Sequence, residues 1–186
     1  MVRERVSRSL PGAAGLFLLL GCVVAAAPAA RAAEPPVAAL AAVAPEGFAP
    51  AGPPLRFGTP AHPLADGDIF TYIDGGGVAY LEHGFTDLLH AEYADGRGST
   101  ITLDVYGMAT PEQARQALAD DRICPAGGGA LDLDPSARAY RFPPDYFLYF
   151  VQAHRLVYVH SNDDRIAGRV VRFAAAVKAA LAKEGP

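Results

Sequence analysis

A chain of 186 residues, 51% of them hydrophobic, holds enough apolar material for one packed core. Its 16 basic and 20 acidic residues give a formal charge of −4 with no Lys/Arg cluster, which excludes a nucleic-acid surface. With two cysteines, Cys22 and Cys124, it has no disulfide framework.

Residues 1–33 have the layout of a secretory signal peptide, with Arg3, Arg5 and Arg8 ahead of the apolar run 13–27 and small residues after it. Two processing routes fit. The string LLGC resembles a lipobox, which would make Cys22 the lipidated first residue, whereas Pro28, Ala30 and Ala32 form a small-residue cleavage site. The apolar stretch 23–27 continues past Cys22 and favours cleavage after Ala32. The run is shorter than the roughly 20 residues a spanning helix needs, which argues against a retained anchor. Cleavage would remove Arg3, Arg5, Arg8, Arg31 and Glu4, taking 16 basic residues to 12 and 20 acidic ones to 19, a formal charge of −7. Charge would not draw so acidic a chain to an anionic membrane, and membrane attachment is expected only by the alternative route, lipidation at Cys22.

Residues 34–44 read as a Pro/Ala-rich tether, and residues 45–183 as a single α+β domain. Phe48, Leu55 and Phe57 are apolar enough to lie along its surface as an extended segment. A helix is expected over 69–81, with Asp66 as cap, a buried stripe of Ile69, Tyr72, Ile73, Gly76, Tyr80 and Leu81, and Gly84 as left-handed terminator. Gly75, Gly76 and Gly77 interrupt that stripe, each at about 1 kcal/mol relative to alanine. A hairpin follows, with strands over 86–94 and 100–106 around DGRGS. Pairing Ala94 with Thr100 puts Tyr93/Ile101, Ala91/Leu103 and Leu89/Val105 on one face, and Glu92/Thr102 and His90/Asp104 on the other. Thr110-Pro111-Glu112-Gln113 opens a helix to about residue 122. A glycine-rich loop over 124–135 leads to extended pieces over 137–142, 146–151 and 156–160. Ser161 or Asn162 then caps a helix with Ile166, Val170, Phe173, Val177 and Leu181 inward. The expected architecture is an antiparallel sheet of two successive β-hairpin-plus-helix units after a first helix, with the helices packed on one face.

The string YIDGGGVAYLEHGF, residues 72–85, resembles a bacterial exported family known as family 6599 of the domains of unknown function. Its helix has the form Tyr-Ile-Asn/Asp-Gly ending in Gly-Phe, and VYGMATPEQA and FLYFVQAHRLVYVHS are similar to its later segments. Val78 stands where the family has an acid and His83 where it has an aromatic. The resemblance implies the fold and export, and no activity, cofactor or catalytic residue.

Several groups carry possible chemistry. His90 and Asp104, opposite each other, suit a general base or a metal ligand, or a solvated cross-strand pair. The glycine triplet suits an anion-binding nest, close packing or a helix break, in which case Asp74 would cap a second half-helix. His160, Asp163 and Asp164 suit a metal or a helix start. His62, His83 and His154 form no ligand spacing, and Cys124 lacks a redox context. Tyr146, Tyr149 and Tyr158 lie in strands aromatic on both faces, so one face is expected to leave an exposed aromatic patch. The resulting expectation is a non-catalytic envelope module, without cofactor, that binds a protein, peptide or small apolar ligand through those tyrosines. The alternatives are a small enzyme or metal-binding protein using His90 and Asp104, and a structural envelope component.

Overall fold

The computed structural model describes residues 40, 43–59, 62 and 69–184. The signal region with Cys22 and Ala32, most of the tether, and Asp66 lie outside them. Among the described residues no helix is long and apolar enough to cross a membrane.

The hairpin strands β3 (Phe85–Ala94) and β4 (Thr100–Met108) pair in the register that the apolar alternation dictates, His90 facing Asp104 and Tyr93 facing Ile101. On the outer side of β3 lie two short pieces of the extended segment, β1 (Ala49–Pro50) and β2 (Leu55–Phe57). Four further strands form a meander: β5 (Gly129–Leu131), β6 (Asp134–Phe142), β7 (Asp145–Gln152) and β8 (Arg155–Ser161). β8 docks antiparallel on β4 and joins hairpin and meander into one eight-stranded antiparallel sheet. The fold is therefore α+β, as the sequence patterning implies.

The helices are α1 (Ile69–Ile73), α2 (Gly77–Glu82), α3 (Pro111–Ala119) and α4 (Ala167–Leu181). They do not share one face, which corrects the expected arrangement. α4 buries Val170, Phe173, Val177 and Leu181 against Leu89, Ile101, Leu103, Val105, Leu148, Phe150, Val157 and Val159. α2 and α3 bury Ala79, Tyr80, Ala114 and Ala117 on the other face, against Leu88, Tyr106, Tyr149 and Leu156. The reason lies in β7 and β8, whose residues are apolar or aromatic at both parities, so neither face can be left to water. Leu40 and Val43, within the stretch read as a tether, also pack on the α4 side.

Smaller differences have local causes. α3 stops at Ala119 because the Asp120 carboxylate accepts from the Arg122 backbone and turns the chain. β5 sits in the expected loop, where Gly128 lets the backbone pass over Tyr140; a Cβ there would lie 2.6 Å from the ring. The last helical segment is capped by Asp163, which accepts from the Arg165 backbone, while Asn162 accepts from the Thr100 backbone instead.

Candidate functional site

The tyrosine-bearing face is built around one acid. Asp104 stands in mid-strand, side chain 2% exposed, and a carboxylate there must collect donors. It accepts from Tyr72 of α1 at 2.9 and 3.1 Å, from Tyr106 two residues along β4 at 3.2 Å, and from His90 Nδ1 across the hairpin at 2.7 Å. Burial, reinforced by the Asp104 charge, holds both phenols well above their usual pKa, so they remain donors. The Tyr72 ring lies over His90, centroids 4.7 Å apart, and against Phe57 of β2. The solvated cross-strand pair is thus replaced by a buried network, because α1 covers this part of the face.

His90 is a fixed imidazole. Asp104 already accepts from two phenols, so Nδ1 carries the proton toward it, and in the neutral form of the ring the lone pair is on Nε2. Burial works against the imidazolium, but the hydrogen bond to Asp104 and its charge, with Glu92 behind, hold the histidine above its usual value. Nε2 is 3.7 Å from Glu92, and both side chains line a cleft of about 200 Å³ with Ala51, Gly52, Pro53 and Leu55. The cleft is the gap between β1 and β2. Ala51 still donates to Glu92 O and Leu55 pairs with His90, but Pro53 and Pro54 have no N–H to offer β3 between them.

From this cleft a half-open row crosses the sheet. Glu92, Thr102, His160 and Phe147 are consecutive register partners on β3, β4, β8 and β7, and all are exposed or half-buried. His160 Nε2 binds Asp145 at 2.7 Å, and Phe147 stacks on Phe142, which is 60% exposed. Leu55, 50% exposed, stands at the other end.

The expected aromatic patch is not assembled as foreseen. Tyr146 is buried on the α4 face, away from the other two. Tyr149 is buried among Tyr140, Phe147 and Tyr158, leaving only Tyr158 half-buried beside Asp104, its register partner. Sequence reasoning missed Tyr72 and Tyr106 as Asp104's partners, and Glu92 and Leu55 as cleft walls. A lone acid in the apolar strand TLDVYGM, with a tyrosine two residues on, was the available signal.

The remaining candidates separate. Ile73 ends α1, a short 3-10 turn spans Asp74–Gly76, and α2 begins at Gly77, so the triplet is a helix break. Asp74 makes no cap; it takes a positive φ of 46°. His160 faces Asp145, while Asp163 binds Ser99 and Arg165, and Asp164 binds Arg141, so these three do not form a ligand set. Among the described residues no three His, Cys, Asp or Glu side chains could hold a metal together. His83 pairs with Asp120 in a half-buried contact, and His62 is exposed in a turn with Thr59. His154 is held below its usual pKa by burial and then by Arg155. Cys124 is buried 3.3 Å from the Tyr140 hydroxyl, and burial pushes its thiol up, away from reactivity.

No family model and no curated protein matches the chain. Among solved structures it is similar to the crystal structure of the extracellular domain of PknH from Mycobacterium tuberculosis, at 14% sequence identity, with 80% of this chain and 90% of that one covered and a TM-score of 0.45.

Proposed function

We propose that this is an exported, non-catalytic binding module that takes an extended peptide segment of a partner envelope protein along the open row of its tyrosine face. The observation that carries the reading is the row itself: Glu92, Thr102, His160 and Phe147 stay open to solvent, with exposed Leu55 and Phe142 beyond its two ends. From β2 to β6 the row crosses five strand spacings, about 24 Å, which matches roughly seven extended residues. Leu55, Phe147 and Phe142 supply apolar anchors, while Glu92 and Asp145 call for a basic side chain in the peptide. Selection from a displayed library of seven-residue peptides, followed by titration of the isotope-labelled domain, tests this. Enriched peptides should combine apolar and Lys/Arg residues and lose about tenfold in affinity with Phe142→Ser. No enrichment, or equal binding by a Phe142→Ser, Phe147→Ser double variant, overturns it.

Export is part of the same proposal and rests on the arginine-led apolar run at the N-terminus. The intact mass of the processed chain decides between a start at Ala33 or Glu34 and an acylated Cys22. We also propose membership of family 6599 of the domains of unknown function, supported by the string at residues 72–85.

A further inference from the structure

We infer that His90 Nε2 and the Glu92 carboxylate form a two-residue site for a divalent late transition cation, such as Zn²⁺, at the cleft between β1 and β2. Asp104 is not a ligand here, since its oxygens are taken by Tyr72, Tyr106 and His90. It occupies the place behind the ligand, where metal-binding histidines donate their other ring N–H to a carboxylate that fixes tautomer and ring orientation. Tyr72 and Tyr106 hold that carboxylate in turn, so the Nε2 lone pair is fixed before any cation arrives. His90 and Glu92 are two residues apart on β3 and therefore share a face. Their N and O atoms, 3.7 Å apart, are two acceptors that cannot bond each other while the ring is neutral. A cation about 2.1 Å from each would see them at an angle of roughly 125°, within reach of tetrahedral coordination. The cleft of about 200 Å³ leaves room for the water or external ligands that complete it.

No other histidine combines these features among the described residues. His83 and His160 each spend Nε2 on an acid, and those pairs are only partly buried. The site shares Glu92 with the proposed peptide row, so a bound cation would compete there with a basic side chain; a titration with the metal alone tests it without any peptide.

The test is calorimetric titration of the exported chain, purified without a polyhistidine tag, with Zn²⁺ alone. Long-range ¹H–¹⁵N spectra of the histidine rings would be recorded in parallel. One Zn²⁺ should bind saturably, with a dissociation constant in the range of about 10–100 μM, weaker than at sites with three or four protein ligands. The His90 Nε2 resonance should shift, and Glu92→Gln, an exposed change, should weaken binding at least tenfold. His90→Gln should abolish it; if that variant fails to fold, Glu92→Gln and the ring spectra still decide. The inference is overturned by no saturable binding up to about 1 mM. It also fails if affinity is unchanged in Glu92→Gln, or if the shift appears on another histidine.

Discussion

The sheet meets α4 and the other helices through the same strands, read at opposite parities. Toward α4, Ile101, Leu103, Val105, Phe150, Val157 and Val159 give a dry surface, and the 15-residue helix lies on it without a break. Toward α1–α3, His90, Asp104, Tyr106, Tyr149 and Tyr158 give a surface that must satisfy hydroxyls, an imidazole and a carboxylate, and its cover is three short helices. The first face stabilises through area alone, at about 25 cal/mol per Å² of apolar surface. The second gains little net free energy from its hydrogen bonds, about 1 kcal/mol each, but fixes side chains in one geometry. A binding site therefore belongs on the second face, and the first is its foundation.

The largest effect that this contrast implies is on the dry face. Phe150 is fully buried, and Phe150→Ala should lose about 3–5 kcal/mol in urea unfolding, enough to threaten folding. A loss below about 1 kcal/mol would mean that α4 does not seal this face.

On the polar face, Asp104→Asn removes the charge and one acceptor for three donors, with an expected cost of about 2–3 kcal/mol. The effect carries a pH signature. His90 is raised in the folded protein, so the pair's extra stabilisation is fully present below the unfolded value of about 6.5 and is lost as pH rises through the folded value. Wild type should lose more stability than Asp104→Asn between about pH 6 and 9. Parallel pH profiles would show that the pair does not couple to folding. Tyr72→Phe, which leaves Asp104 two partners, should cost about 1 kcal/mol.

The legibility of the two faces in the sequence differs for the same reason. The α4 stripe and the β3–β4 register were readable, because apolar alternation with period 2 or 3.6 is a local signal. The pairing of His90 with Asp104 followed from that register. Its burial did not, since that depends on Tyr72, 32 residues away in sequence and brought over the strand by tertiary packing. Tyr146 and Tyr149 read as one patch in the sequence because aromatic residues at odd and even positions look alike in a string. The register parts them to opposite faces. The pairing of β4's second edge with the distant β8 is equally hidden, and it is what brings Tyr158 beside Asp104.

The smallest expected effects sit in the broken cover over the polar face. The three consecutive glycines are not equivalent. A Cβ on Gly77 would lie 3.0 Å from the Phe70 ring and 3.1 Å from Ile69, so α2 leaves α1 only at the closeness glycine allows. Gly75 and Gly76 meet nothing within 4 Å, and neither has a positive φ. Alanine at either should stabilise by about 0.5–1 kcal/mol, chiefly by restricting the unfolded chain. Gly77→Ala should instead destabilise by about 1 kcal/mol as Phe70 gives way. Urea midpoints of the three single variants separate packing from an anion-binding nest. A nest would lose its exposed amide geometry or its access with any of the three, and millimolar phosphate would stabilise wild type but none of them. Packing predicts two gains, one loss and no phosphate effect, and it makes Gly77 the position that joins the two halves of the helix over Asp104.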